Sequence, residues 1–448
     1  MTTSYLLFIV IISIAMLLVL VIRFKLNAFI ALLLVSVFAG LGAGMDLQTL
    51  LKSIQNGMGG ILGFVAIVVG LGSIFGEMLD YSGGAKALAI DLIRRFGYKR
   101  SSWAMSLTGF LVAIPVFFDV GFIILVPVIY SLSRETGKSL TYYAVPLLAG
   151  LAVTHAFIPP TPGPVAVAEI LNADLGWVIG LGVIVGLPVT LLIGPLLGRI
   201  IGARVLVFPK KSDLVELGNK ELPSFTSVFL IISLPIALIV LSSVVTLAIA
   251  HGSIGASAIT NIIVFMGHPF VALMLVTLVS LYYLGAKRGA SRDDLLRMST
   301  KALGPAGIII LITGAGGVFK QVLVDSGIGN SLAEALSGTS LPVLLLAYVI
   351  AGVVRVTQGS ATVAMITAAG LLSPMIAPME LTAPQTALVV LSIAAGATML
   401  AHGNDSGFWM VGKYLGLTEK QTLQTWTTTS TAISVVGLVF ILLVNLFI

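Results

Sequence analysis

Long apolar segments alternate with short polar connections along almost the whole chain. A helix needs roughly 20 apolar residues to cross a bilayer, and about ten segments reach that length. They lie near residues 4–22, 26–45, 55–80, 141–171, 175–200, 227–250, 262–286, 302–325, 386–412 and 427–448. The pattern therefore predicts an all-α polytopic membrane protein with about 10 spans.

Two further apolar regions are too long for one simple span, and each has polar or helix-breaking residues in its middle. The first covers about 102–133 and is interrupted from Pro115 to Gly121. The second covers about 342–375 and is interrupted from Arg355 to Thr362. Non-helical backbone in a membrane is tolerated only where protein or a wet cavity surrounds it. We therefore expect two re-entrant hairpins.

The placement of basic residues favours this threading. Lysine and arginine are enriched in the cytoplasmic loops of membrane proteins. If region 102–133 turns back as a hairpin, all the basic clusters face the cytoplasm, whereas a full crossing there would divide them between the two sides. The clusters lie near residues 23–25, 86–100, 134–138, 199–220, 287–301 and 413–420.

Composition excludes an ordinary soluble domain. Hydrophobic residues make up 58% of the chain and charged residues 9%, whereas soluble domains carry about 25% charged residues. The net charge of +6 fits basic cytoplasmic loops better than a nucleic-acid partner. Cysteine is absent, and neither a Walker A sequence nor a His-Glu-x-x-His motif occurs, so we expect no cofactor and no metal.

A pattern in the first half recurs about 244 positions later, which indicates two related halves. With the hairpin threading each half makes an odd number of crossings, so the second half must be inverted relative to the first. We predict a first repeat over 1–202, a cytoplasmic linker over 203–226 and a second repeat over 227–448. The pattern consists of Gly70, Gly72, Phe75, Leu79, Ser82, Gly83, Leu88 and Ala89, matched by Gly314, Gly316, Phe319, Leu323, Ser326, Gly327, Leu332 and Ala333.

Four helix breaks define the expected site. Two are the hairpin tips, and the other two interrupt equivalent helices at Ile158–Pro164 and His402–Gly407. In an inverted repeat these breaks should meet near the membrane midplane, where exposed N–H groups attract anions. We expect the substrate to contact residues at the breaks, namely Asp119, Gly121, Thr161, Gly163, Gln358, Gly359, Ser360, Thr362, Asn404 and Ser406.

Ionisable residues within apolar segments are functional candidates by default. Asp405 and Asp119 are candidates to carry a coupling proton; for Asp119 the alternative is a paired or helix-capping carboxylate. His155 and His402 are candidate proton relays, with a structural core histidine as the alternative for each. Arg355 either clamps a carboxylate or is a snorkelling or interface side chain, and it is not included in the predicted site.

Five sequence runs are distinctive, namely Gly59–Gly63, Phe117–Phe122, His155 with Pro159–Pro164, Gly359–Ala364 and Asn404–Trp409. With these runs the chain resembles the gluconate permease family, the sugar-acid transporters of the ion transporter superfamily. The similarity spans essentially the whole chain. It implies a multi-pass symporter of the bacterial inner membrane that takes up a gluconate-like aldonate or a related hydroxy acid with protons. Analogy with the superfamily also implies an elevator-like displacement and a homodimer.

The resulting hypothesis is a proton-coupled importer of a small carboxylate, whose partners are its substrate, protons and membrane lipid. A sodium-coupled carboxylate carrier is the near alternative. An intramembrane enzyme would need Asp119 and Asp405 to form an acid pair, and no accompanying catalytic signature occurs. A channel is a further alternative, which accumulation of substrate against a gradient would exclude.

Overall fold

A computed structural model describes residues 3–209, 221–250, 252–328 and 342–448. These residues are helical apart from short connections, and they contain no strand. The central part of the predicted linker, residues 210–220, lies outside the described residues. So do the repeat positions Leu332 and Ala333.

The first half contains nine helices, joined by short turns. They are α1 (Thr3–Ile22), α2 (Ala28–Gly42), α3 (Leu47–Tyr81), α4 (Gly84–Phe96), α5 (Ser101–Val112), α6 (Phe118–Thr136), α7 (Leu140–Phe157), α8 (Pro162–Ile170) and α9 (Leu175–Arg204).

The described part of the second half contains a similar succession. Its helices are α10 (Phe225–Ala250), α11 (Ala258–Met266), α12 (Pro269–Ser280), α13 (Arg292–Asp325), α14 (Val343–Gln358), α15 (Ala361–Ile376), α16 (Ala383–Ala397), α17 (Ser406–Leu415) and α18 (Glu419–Asn445). α18 includes a π-helical turn at Leu423–Thr427. The start of α17 follows the start of α8 at the same offset that separates the repeated sequence pattern. The inverted orientation of the two halves stays a prediction.

Eight helices among the described residues are long and apolar enough to cross a membrane, so the prediction of an all-α membrane protein is confirmed at that level. Helices α2 and α16, each inside a predicted span, are shorter than 18 residues. Conversely, the stretch Ala361–Met379, inside the second predicted hairpin, is long enough to cross by length and composition. The number of crossings and the hairpins therefore stay predictions.

Close helix packing brings the breaks together. Helix α3 lies along α13, and Gly57 contacts Gly317 there without an intervening side chain. Small residues allow this kind of backbone approach in membrane proteins. Further along α3, Gly76 meets the carbonyl of Pro115, and Gly72 faces Pro160. Helix α3 is thus packed against the break between α5 and α6 and the break between α7 and α8.

Two other central helices position the rest of the site. Helices α7 and α16 are buried along nearly their whole length. Helix α7 packs against α5, α6 and α9, while α16 packs against α14, α15 and α18. Each ends where a break begins, because the chain after α7 contains two successive prolines and the chain after α16 contains Leu400 at a positive φ of 46°.

Candidate functional site

A cavity of about 430 Å³ lies where the broken helices converge. Three helices begin at its wall, and their first residues line it: Asp119 in α6, Ala361 in α15 and Ser406 in α17. The first turn of a helix presents unpaired N–H groups and a partial positive charge. The cavity is therefore suited to an anionic ligand before any charged side chain is considered.

Asp405 is the N-cap of α17, and its carboxylate is fully engaged. The backbone N–H of Gly407 donates to Oδ1 (3.0 Å). Arg355 Nη2 and Trp426 Nε1 both donate to Oδ2, at 2.9 and 3.1 Å. The residue is 8% exposed, and Arg355 is 4% exposed, so the two form a buried ion pair.

Arg355 has unused hydrogen-bonding capacity at the cavity wall. Its Nε and Nη1 atoms are buried and have no hydrogen-bond partner within the described residues. A guanidinium is always charged, and its planar fork matches a carboxylate. Our prediction omitted Arg355 from the site, although its position in the apolar 342–375 region could have indicated it. Its placement depends on the packing of α14 against α16.

Asp119 also lines the cavity, but in a different environment. Its side chain is exposed, and within the described part of the chain it has no hydrogen-bond or ion-pair partner. Asp405 acts on it through charge repulsion. His155 lines the same cavity from α7, and its Nδ1 atom is buried without a described partner. The structure thus brings together three of the four predicted proton-coupling residues.

Hydroxyl groups complete the polar part of the cavity. Ser360, Thr362 and Ser406, all predicted to contact substrate, lie in its wall together with Thr398. Apolar side chains also line the cavity, and four of them come from α13: Pro305, Ile308, Ile309 and Ile312. The cavity therefore combines polar groups from the breaks with hydrocarbon surface.

Other predicted site residues lie behind the cavity surface and hold the breaks in place. His402 Nε2 and Asn404 Nδ2 lie 3.0 and 2.9 Å from the carbonyl oxygen of Val356. Gly359 packs against the backbone carbonyl of Asn404, and Thr161 donates to Ile158 (2.7 Å).

The remaining three predicted residues also lie off the cavity wall. Gly163 faces Met365, and Gly121 faces Leu151. Gln358 keeps both of its amide atoms buried without described partners.

Trp426 was missed by sequence reasoning. It lies in the π-helical turn of α18, where such turns often mark functional sites, and its ring stacks on Phe118 with centroids 4.9 Å apart. Its indole donates to Asp405 across 21 residues of sequence. No motif in the surrounding residues indicates this contact.

The sequence model of the GntP family permeases matches residues 5–447. The chain belongs to the GntP permease family. It is 41% identical over 438 residues to the low-affinity gluconate transporter of Escherichia coli K12, with 98% of this chain and 97% of that protein covered. It is 40% identical over 448 residues to a gluconate permease of Pseudomonas aeruginosa, covering 99% and 98%. The L-idonate transporter of Escherichia coli K12 is 37% identical over 434 residues, covering 97% of each chain.

Solved structures of two transporters share the fold. The YdaH transporter of Alcanivorax borkumensis superposes with a TM-score of 0.61 at 15% identity, covering 90% of each chain. The MtrF efflux pump of Neisseria gonorrhoeae gives 0.63 at 15% identity, covering 88% of this chain and 84% of MtrF. The predicted family is confirmed, and the chain is a multi-pass membrane transporter and not an enzyme.

Proposed function

We propose that this permease imports a sugar acid, a gluconate-like aldonate or a related small hydroxy acid, across the bacterial inner membrane together with a proton. The named relatives carry gluconate and L-idonate, which are both polyhydroxylated carboxylates. The cavity of about 430 Å³ is in the range of small-molecule sites.

The observation that carries the proposal is Arg355, which lines a cavity where three helices begin and has two donors without a partner among the described residues. A substrate carboxylate would accept hydrogen bonds from Nε or Nη1 of Arg355 while Nη2 stays on Asp405. The N–H groups at the starts of α6, α15 and α17 would add to the attraction.

Neutral polar residues would recognise the hydroxyl groups. Ser360, Thr362 and Ser406 line the cavity and can each donate and accept a hydrogen bond. A ligand that leaves these buried groups unpaired would lose about 1–3 kcal/mol for each. For the predicted residues behind the wall, we propose an indirect role in shaping the breaks: Gly121, Thr161, Gly163, Gln358, Gly359 and Asn404.

The charges in the cavity support the proposal of proton coupling. The cavity wall carries the carboxylates Asp119 and Asp405 and the guanidinium Arg355. A bound substrate carboxylate adds a third negative charge, which is unfavourable in a cavity with limited water. A proton taken up by Asp405 or Asp119, with His155 or His402 as a relay, would offset it. A sodium ion would offset the same charge, so sodium coupling is the alternative.

The architecture proposed with this function has two inverted halves, residues 1–202 and 227–448, joined by a cytoplasmic linker at 203–226. The helix pairs α5–α6 and α14–α15 are proposed to be re-entrant hairpins. Alternating access would then move the site between two openings. By analogy with the superfamily, we propose a homodimer and an elevator-like displacement.

Uptake into proteoliposomes tests the function. Labelled D-gluconate, L-idonate, D-glycerate and D-serine are added in sodium-free buffer with an imposed inward pH gradient, and protein-free liposomes serve as the control. We expect accumulation of at least one sugar acid above its outside concentration. Accumulation only when sodium is present would show that sodium, and not a proton, is the coupling ion. Equilibration without accumulation would favour a channel, and no uptake of any panel member would refute the proposed substrate class.

A further inference from the structure

The two carboxylates of the cavity have different environments, and this difference assigns their roles. We propose that the coupling proton binds Asp119, and that Asp405 stays charged through the transport cycle as the fixed counter-ion of Arg355. This inference rests on the proposed function, which leaves the two residues as equal candidates.

Asp405 already accepts three hydrogen bonds as a carboxylate. Its Oδ1 accepts from the N–H of Gly407, and its Oδ2 accepts from Arg355 and from Trp426. All three partners are obligate donors, with no acceptor atom to receive a hydrogen bond. A proton on either oxygen would neutralise the acceptor group of these bonds, and the charge-assisted bond from Arg355 would weaken. Protonation of Asp405 would therefore weaken existing contacts, whereas Asp119 has no such contact to lose.

Trp426 and Phe118 make this arrangement rigid. The indole ring stacks on Phe118 at an interplanar angle of 28°, so its N–H is held towards Oδ2 of Asp405. Trp426 is 4% exposed, and its helix turn is further tied to the break because Thr427 donates to the carbonyl of Ala401. The counter-ion pair is thus built into the packing of α14, α17 and α18.

Asp119 has the opposite properties. It is exposed to the cavity and has no hydrogen-bond or ion-pair partner among the residues described, so it can gain or lose a proton without breaking a contact. The ionisable groups that line the cavity with it are Asp405 from the start of α17, Arg355 from α14 and His155 from α7. Asp405 repels its negative charge. A substrate carboxylate on Arg355 would repel it further.

The coupling step is then simple. The substrate carboxylate binds the free donors of Arg355, and the carboxylate of Asp119 takes one proton from a hydronium ion in the cavity, which leaves water. The net charge of the site is the same before and after loading. By linkage, substrate binding and protonation of Asp119 favour each other equally. Release of the substrate on the other side of the membrane removes the negative charge that favours protonated Asp119. The proton then dissociates from Asp119 on the same side.

Asp119→Asn separates this proposal from its rivals, since asparagine mimics the protonated side chain in size and charge. Two measurements are made in proteoliposomes with labelled D-gluconate: accumulation driven by a pH gradient, and exchange of labelled for unlabelled substrate at equal pH. Exchange needs no net proton movement. We expect Asp119→Asn to exchange substrate at a rate that does not depend on pH. In the accumulation assay, its ratio of inside to outside substrate concentration should fall to about 1. Asp46→Asn, the same chemical change at the exposed N-cap of α3, should retain both activities.

Asp405→Asn is expected to lose exchange as well as accumulation, because Arg355 loses its counter-ion. If that variant fails to fold, Asp119→Asn still decides the question. Concentrative, pH-driven uptake by Asp119→Asn would overturn the assignment, as would an Asp405→Asn protein that exchanges substrate but cannot accumulate it. Either result leaves the proposed function intact when the wild type accumulates gluconate. A wild type that accumulates no sugar acid would overturn the function and this inference together.

Discussion

Replacing Arg355 by lysine keeps the positive charge and removes the planar fork. In the structure the guanidinium donates to Asp405 through Nη2, and its buried Nε and Nη1 atoms have no partner among the described residues, while Arg355 as a residue lines the cavity. A lysine ammonium is a single point of charge on a flexible stem, so it cannot reproduce both sets of contacts. We expect Arg355→Lys to fold and to retain the pair with Asp405, while substrate binding weakens.

The size of the effect follows from the lost contact. A hydrogen bond to a charged group contributes about 1.5–3 kcal/mol. Since about 1.4 kcal/mol corresponds to a factor of 10 in an equilibrium constant, losing one such bond to the substrate predicts a KM increase of about 10- to 100-fold. The effect should be of similar size for all sugar acids, because every one presents a carboxylate.

The assay is uptake of labelled gluconate over a concentration series, with the amount of folded transporter measured by size-exclusion chromatography. An Arg355→Lys protein with an unchanged KM would refute the assignment of Arg355 to the substrate carboxylate. A large loss for gluconate with no loss for L-idonate would also contradict it, because the contact would then depend on the hydroxyl groups.

A pair of variants separates binding from stability. Arg355→Met leaves Asp405 buried without its counter-ion, and breaking a buried pair in this way costs about 3–5 kcal/mol. Adding Asp405→Asn removes the second charge, so the double variant should melt at a higher temperature in detergent than Arg355→Met alone. It should still fail to transport. A double variant no more stable than the single one would show that the pair is not the main interaction of Asp405.

Three further substitutions test the breaks. Gly359 has a φ of 80°, and an added Cβ would collide with a backbone carbonyl. Gly359→Ala should therefore lower the melting temperature more than Gly137→Ala, because Gly137 has a similar φ of 70° but open surroundings. Equal decreases in melting temperature for the two variants would contradict this. Trp426→Phe keeps an aromatic ring but loses the N–H donor to Asp405. The variant should fold and should take up substrate about tenfold more slowly or worse. Full uptake activity would refute a positioning role for Trp426. Lys320 donates to the carbonyl of Ile170, the last residue of α8. Lys320→Met should therefore lower the free energy of unfolding by about 0.3–2 kcal/mol. An unchanged melting temperature would show that this contact does not contribute to stability.

The apolar wall of the cavity has a consequence for selectivity. Helix α13 contributes proline and isoleucine side chains to the same cavity wall as Arg355 and the hydroxyl groups. Hydrocarbon side chains offer no partner to a hydroxyl group, so the substrate must satisfy its polar groups from the side of the breaks.

Much of this architecture was accessible from the sequence, because the relevant signals are local. An apolar run of sufficient length forms a helix whose backbone groups pair within the segment, and this needs no information from distant residues. The breaks could be located for the same reason: the successive prolines Pro159 and Pro160, and the glycine and asparagine that precede Asp405, disfavour a continuous helix through local backbone effects. The family was also recognised from short runs at these breaks, and the comparison over residues 5–447 confirms it.

The tertiary structure decided which polar groups meet. Arg355 and Asp405 are 50 residues apart, and Trp426 lies a further 21 residues along the chain. No local pattern could therefore predict that Arg355 and Trp426 both donate to Oδ2 of Asp405. The sequence makes both aspartates candidates, each in a helix break within an apolar region, and the amide and hydroxyl neighbours of Asp405 favour that residue. Only packing brings Arg355 and Trp426 to Asp405 and leaves Asp119 open to the cavity. Helix formation depends on neighbours in sequence, whereas the environment of a charge depends on neighbours in space.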